Sequence, residues 1–328
     1  MSQNLVRTES TPVAPIDADR MVSASTADRL ARAVPTETRR AYSGDWNRFN
    51  TWATDAGRTS MPATAETLAE YATHLADLGR APGTIERAVA AIRKAHAVAE
   101  QVPPATDLAR AVIRTAGADR ADEGTTTRKA QALSVADLRA MLRHAAGPAA
   151  TRDRALMLTG WAGALRRSEL VALNLSDVTM SAEGAELRIR RSKTDKDAAG
   201  AVVALPYGAD PATCPVLALA AIVHGREDEG PEAPVFRTIN RHGSHGGRLS
   251  GQAVGLVLKR YAGAAGIDPA AVSGHSLRRG FATEARRSGA DLVAVCRHGR
   301  WEDGSRAVLG YFADVDRWND SPLRGIGL

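Results

Sequence analysis

Cysteine is nearly absent: Cys214 and Cys296 are the only two in 328 residues, far apart and outside any CxxC or His/Cys spacing. That excludes a disulfide framework, argues against a structural zinc, and suits a reducing cytoplasm in which both thiols are simply buried. Long apolar runs are missing too, and none approaches the roughly 18 residues of a membrane span. The N-terminus lacks a charged segment leading into an apolar stretch and cleavage site, so no secretory leader is expected. Lysine is scarce, five residues against 38 arginines. Paired Asp/Glu of the kind that hold two catalytic metals are lacking as well, because the carboxylates are scattered among arginines. Neither a metal nor any other cofactor is expected.

What is present fits a globular protein of two domains, with 44% hydrophobic residues and a net charge of +6. Residues 1–130 hold 17 Lys+Arg and 16 Asp+Glu, leaving 26 against 21 for the remainder. A polyanionic partner would therefore meet local basic clusters and not a uniformly basic chain.

Residues 1–25 mix Ser, Thr, Pro and isolated charges without apolar period, as a mobile tail does. Tyr42, Trp46, Phe49 and Ala53 then recur on one helical face that stops at Gly57. Leu68, Tyr71, Leu75 and Leu78 mark a second helix. Ile85, Val89, Ile92 and His96 mark a third, with Thr84 as its N-cap. "TDLARAVIRTAG" reads as a fourth, ending at Gly117. Residues 26–117 thus form a compact helical domain, and 118–129, with no apolar residue larger than alanine, a linker. From residue 130 to 328 a second domain opens on the capping pair Ser134 and Asp137 ahead of Leu138, Met141 and Leu142. "ELRIRRSK" and "AGAVVALP" predict a β-hairpin. Beyond about residue 212 the pattern is helical, with loops at 225–233 and 239–248. The fold class is mainly α with a small antiparallel β-sheet.

Several polar residues stand out, each with an ordinary alternative. Arg166 and Glu169 lie three apart beside an apolar run, the spacing of a solvated ion pair. Lys193 and Lys196 share the hairpin tip, where lysine usually keeps an edge soluble. His275 and Arg278 in "SGHSLRRGF" suit a helix start with a surface arginine. Trp301 and Tyr311 read as core aromatics. Alone, none is decisive.

In order, Arg-x-x-Glu, a hairpin lysine, His-x-x-Arg, Trp and a C-terminal Tyr resemble the pattern of the tyrosine recombinase (phage integrase) family, over about residues 30–320. "SGHSLRRG", "RRSKT" and "GRW…GYF" are the sharpest matches, in the manner of the family's Cre recombinase. The resemblance implies a two-domain DNA clamp: a helical core-binding (SAM-like) domain and a catalytic domain. It also implies that Arg166, Lys193, His275, Arg278, Trp301 and Tyr311 are catalytic, with Glu169 orienting them. One spacing departs: Trp301 precedes Tyr311 by ten residues where the family has nine, with the extra residue falling in "EDGS". His298 is the alternative for that position.

The chemistry needs these groups. A phosphodiester carries a full charge, and its pentacoordinate transition state spreads more over the equatorial oxygens. Two arginine forks grip such oxygens and stay protonated. Tyr311 would attack phosphorus to give a 3′-phosphotyrosine and a free 5′-hydroxyl. A phenol leaves more readily than an alkoxide, so the link is reversible without ATP. Lys193 would protonate the departing oxygen, and His275 would act as base or proton-sharing donor. Trp301 offers an N–H to a phosphate oxygen.

For DNA contacts, Arg39 and Arg40, Arg87 and Arg93, and Lys129 with Gln131 are candidates, each equally readable as solvated surface. Gln252 falls where the resemblance places a base-reading side chain, and glutamine pairs with adenine. Trp318, Leu323, Ile326 and Leu328 make the tail after Tyr311 too apolar for a free end. The expected partners are double-stranded DNA with specific sites and three further copies of the chain, joined by exchange of that tail into a tetramer. The expected place is the cytoplasm, on DNA of the chromosome, a plasmid or a phage. A type IB topoisomerase, a telomere resolvase or a non-catalytic DNA-binding regulator are the competing readings.

Overall fold

A computed structural model describes residues 22–34, 36–125, 130–190, 200–302, 304–317 and 323. Most of the expected tail, Lys129, the hairpin tip with Lys193 and Lys196, and Trp318, Ile326 and Leu328 lie outside the described residues. The chain divides into two compact units, Met1–Thr127 and Arg128–Leu328.

The first unit holds helices α1 (Ala24–Ala33), α2 (Thr36–Asp55), α3 (Ala65–Asp77), α4 (Pro82–Val98) and α5 (Asp107–Asp122). The predicted stripes meet in one core: Phe49, Ala53, Leu68, Tyr71, Leu75, Ile85, Val89 and Ile92, with Trp46 and Trp52 against them. His96 is fully buried yet satisfied, its Nδ1–H donating to Ile92 O and its Nε2 accepting from Ala63 N, both at 2.8 Å. It is a core histidine.

Four local expectations are corrected here. The tail does not run to residue 25, because Ser23 Oγ accepts from Thr26 N at 3.2 Å and starts α1 at Ala24. Leu78 is 55% exposed, since α3 ends at Asp77 and the stripe ends with it. Thr84 is not an N-cap: α4 begins two residues earlier on Pro82, whose fixed φ suits the first helical position. Gly117 does not stop α5, because it keeps helical dihedrals and the left-handed glycine lies further on, Gly124 at φ 68°.

The second unit is mostly helical with two small antiparallel sheets. Helices α6 (Val135–Arg143), α7 (Ala150–Ala162) and α8 (Arg167–Ala172) precede strands β1 (Val178–Met180), β2 (Gly184–Ile189) and β3 (Ala201–Pro206). Then come α9 (Pro215–Val223), β4 (Arg237–Ile239), β5 (His245–Arg248), α10 (Gly251–Ala264), α11 (Gly274–Arg287), α12 (Leu292–Gly299) and α13 (Arg306–Asp316). Ser134 and Asp137 cap α6 reciprocally, as the sequence predicts. The predicted hairpin forms: β2 pairs β3 in the register Leu187↔Val203, turning Leu187, Ile189, Val203 and Leu205 into the core. Residues 239–248, expected as loop, instead close a second hairpin in which β4 pairs β5. All four β5 residues are exposed, so no alternation betrays the strand.

Two packed clusters carry the unit. The larger one joins α6, α7, α9, α10 and the first sheet. The smaller one, Ala282, Val295, Cys296, Val308 and Phe312, binds α11, α12 and α13 together. Residues 130–133 are laced to α11 and its approach: Arg279 Nη1 donates to Ala130 O at 2.7 Å, Gln131 N to Ala271 O at 2.8 Å and Leu133 N to Ser276 O at 3.2 Å. Trp161 Nε1 adds a bond to Leu133 O at 2.8 Å. Gly280 permits this, since a Cβ there would lie 2.1 Å from Leu133 O. No helix among the described residues is long and apolar enough to cross a membrane.

Candidate active site

Helix α11 begins with a reciprocal cap: Ser273 Oγ accepts from His275 N at 3.2 Å and Ser276 Oγ from Ser273 N at 3.0 Å. The helical turn that follows separates the two residues of His-x-x-Arg. His275 is exposed, whereas Arg278 is only 2% exposed. Its Nη1 donates to Ala164 O, its guanidinium carbon lies 3.8 Å from the centre of the Trp301 ring, and its Nη2 is buried without a hydrogen-bond partner among the described residues. A buried donor left unmatched is costly. Burial pushes the Arg278 pKa down to about 9, helped by the charges of Arg166 and Arg300 and opposed by Glu169 and Tyr311. All four groups therefore stand within electrostatic reach of one guanidinium.

Arg166 is the N-cap of α8, and Glu169 folds back beneath it. Glu169 Oε2 accepts from Arg166 N at 2.9 Å and Oε1 from Arg166 Nη1 at 2.6 Å. The carboxylate is buried, which alone would raise its pKa, but the charge of Arg300 and the bonds from Arg166 outweigh that and hold it below the ordinary range. So the ordinary alternative, a solvated pair, does not hold, and the two side chains are sunk into the protein.

Arg300 is the residue that sequence reasoning missed. Its Nη2 donates to Glu169 Oε2 at 2.9 Å, and its side chain is 10% exposed. Burial lowers its pKa despite the carboxylate. One carboxylate thus faces three guanidinium groups, Arg166, Arg278 and Arg300. A cluster with that charge can receive an anion.

Tyr311, on α13, meets the Trp301 ring edge-on at 6.3 Å and lies under Arg279, whose guanidinium carbon is 5.5 Å from the phenol ring. The ten-residue spacing is taken up between α12 and α13, where Ser305 N donates to Glu302 O at 3.0 Å and Gly304 adopts φ 70°. His298 points elsewhere: it stacks on Phe281 at 4.7 Å and its Nε2–H donates to Ala162 O at 2.7 Å. Burial lowers its pKa.

Beside the cluster a groove of about 510 Å³ is lined by Glu169, Asn174, Asp177, Arg188, Arg190 and Arg248. Arg190, the last residue of β2's approach to the hairpin tip, donates from Nε to Asp177 Oδ1 at 2.6 Å and from Nη1 to Glu232 Oε2 at 2.8 Å.

The candidate DNA contacts scatter. Arg39 and Arg93 are exposed on α2 and α4. Arg40 pairs with Glu37 at 3.0 Å, and Arg87 with the buried Asp45 at 2.8 Å. Gln131 is half-buried with its backbone bound to Ala271, and Gln252 is exposed in the first turn of α10. Among the described residues no group of His, Cys, Asp or Glu is arranged to hold a metal ion.

The profile of the phage integrase family matches residues 131–316. The chain is 33% identical over 315 residues to an integrase/recombinase xerD homolog of Selenomonas ruminantium, covering 94% of this chain and 90% of that one. It is 28% identical over 279 residues to the tyrosine recombinase XerD of Halalkalibacterium halodurans, covering 81% and 84%. Among solved structures, it is similar to a XerH site-specific recombinase bound to a palindromic difH substrate, with TM-score 0.59 and 17% identity over 92% of this chain and 84% of that one. A lambda integrase bound to DNA gives TM-score 0.55 and 19% identity over 90% and 96%. At such identities the structural likeness shows the fold.

Proposed function

The chain belongs to the phage integrase family of tyrosine recombinases, and on that premise we propose that it cuts and rejoins DNA at specific sites through a 3′-phosphotyrosine on Tyr311. The observation that carries this is the gathering of Arg166, Arg300, Glu169 and Tyr311 around the buried, half-partnered guanidinium of Arg278. Arg166 and Arg278 grip the scissile phosphate and stabilise the charge that grows on its equatorial oxygens. Trp301 steadies Arg278 and offers its N–H, while Glu169 sets Arg166. His275, exposed at the mouth of α11, shares a proton with the phosphate or phenol. Lys193 protonates the leaving 5′-oxygen from the hairpin that Arg190 anchors at its base. No ATP is needed, since the covalent link conserves the bond energy, and the arginine pair neutralises the charge that a metal would otherwise meet.

The two relatives compared by sequence carry XerD names, and the likeness to Cre rests on the sequence motifs. Supported by neighbours solved on DNA, the proposal extends to a clamp in which the helices of residues 24–122 form a core-binding domain and 130–328 the catalytic domain. Arg39, Arg40, Arg87, Arg93, Lys129, Gln131 and Gln252 are its DNA contacts. Two duplexes meet in a tetramer joined by the tail beyond Tyr311, and exchange passes through a Holliday junction in the cytoplasm.

The test is covalent capture. A site is first selected from a random-sequence duplex library by binding to the wild-type protein, then built into a nicked suicide substrate. The expected result is a covalent protein–DNA adduct that vanishes in Tyr311→Phe. An adduct undiminished in that variant overturns the assignment of the nucleophile, and no adduct with the wild type overturns strand cleavage.

A further inference from the structure

Arg300 follows the last residue of α12 and holds a left-handed backbone, φ 57° and ψ 47°. For a residue with a Cβ that conformation costs on the order of 1 kcal/mol and is the usual place for glycine. Its guanidinium is then buried, another cost. What the side chain reaches in return is specific. Nη2 donates to Glu169 Oε2 at 2.9 Å and more weakly to Ala164 O at 3.5 Å. Nη1 donates to His298 O at 3.1 Å and Gly163 O at 3.3 Å. Glu169 is the carboxylate that holds Arg166, and Ala164 O is the carbonyl that receives Arg278 Nη1. Ala164 is itself left-handed at φ 46°. One fork thus ties the end of α12 to the 163–166 turn at the two points from which both other arginines are held.

We propose that Arg300 is a positioning residue for strand cleavage, fixing Arg166 through Glu169 and Arg278 through the Ala164 carbonyl. It deepens the function proposed above and rests on it. Removing the fork frees Glu169 to move with Arg166 and lets the 163–166 turn relax, so both gripping guanidiniums shift against the phosphate. Displacements of that kind slow chemistry by about 10- to 100-fold while leaving ground-state binding nearly intact.

The experiment is a double-mutant cycle on the full chain. Arg300→Gly deletes the guanidinium and suits the left-handed backbone, and it is combined with Glu169→Gln. Single-turnover adduct formation on the nicked substrate, DNA affinity and thermal midpoint are measured for all four proteins. The expected result is an Arg300→Gly rate about 10- to 100-fold below wild type with DNA affinity within about threefold. On the Glu169→Gln background the same change lowers the rate by a smaller factor than it does in the wild type, the loss that remains passing through the Ala164 carbonyl to Arg278. Added methylguanidinium restores part of the rate in Arg300→Gly and none in Glu169→Gln. A wild-type rate in Arg300→Gly, or losses that multiply in full in the double variant as for two independent sites, overturns the proposal. Should Arg300→Gly fail to fold, Arg300→Lys is read instead: it keeps one charge near Glu169 but loses the fork, and a wild-type rate there overturns it equally. A wild-type chain that forms no adduct refutes strand cleavage, a different failure.

Discussion

The guanidinium carbon of Arg278 stands 3.8 Å from the centre of the Trp301 indole, and the same indole meets Tyr311 at 6.3 Å. A single aromatic ring therefore separates a buried cation from the phenol. Such a stack is worth about 0.5–2 kcal/mol, or roughly 2- to 30-fold in rate if it holds the cation in place. Trp301→Phe keeps a face but loses the N–H, and Trp301→Ala loses both. Adduct formation is expected to fall least in the phenylalanine variant and furthest in the alanine variant. Equal losses in both would assign the effect to the N–H alone.

Arg278 carries a pKa pushed down to about 9 by burial and by its cationic neighbours. Below that pH the folded and unfolded chains both hold the proton, so the cost of burying it is felt in full. As pH climbs past about 9 the folded chain releases a proton that the unfolded chain keeps, and the cost is relieved. At neutral pH, Arg278→Met is expected to raise the thermal midpoint of the DNA-free protein by a few degrees while abolishing the adduct. Sulfate should stabilise the wild type more than this variant, with the gap closing toward about pH 10. Scanning calorimetry across that range checks it, and a uniformly lower midpoint for Arg278→Met would contradict it.

Two glycines separate damage to the site from damage to the fold. A Cβ on Gly299 would lie 1.7 Å from Trp301 Cζ3, so the indole must leave its place. Gly299→Ala is expected to slow adduct formation at least as much as Trp301→Ala. A Cβ on Gly280 would press on Leu133 O at 2.1 Å and Trp161 Nε1 at 2.8 Å. That position meets rigid backbone, so Gly280→Ala should destabilise the second unit by about 1–3 kcal/mol, read by urea unfolding.

Helix α13 is held to α11 by the small apolar cluster and by Arg286 Nε on Asp316 Oδ1 at 2.7 Å. Both partners are partly exposed, so the pair contributes no more than about 1 kcal/mol. Asp316→Asn is expected to speed amide exchange in 306–316 while leaving α11 unchanged, and added salt should mimic it in the wild type. Exchange that rises equally in both helices would mean that they open as one unit.

Much of this was legible along the chain because it is local. The stripes of α2, α3 and α4, the Ser134–Asp137 cap and the β2–β3 hairpin follow from period and capping chemistry. The order Arg166, Glu169, Arg278, Trp301, Tyr311 was legible as well, and the fold brings these five together. Arg300 was not, because its place depends on a left-handed turn and on a carboxylate and carbonyls more than 130 positions upstream. Strand β5 was hidden by its full exposure, and the end of α5 by a glycine that stays helical. Each failure lies where tertiary neighbours outvote local preference.

The lacing of residues 130–133 onto α11 sets where this protein can be cut and recombined with a relative. A chimaera joined upstream of Ala130 inherits the cradle and the helix it supports from one parent. A junction a few residues later pairs a foreign ribbon with a native helix, and the mismatch is delivered to the arginine at its centre.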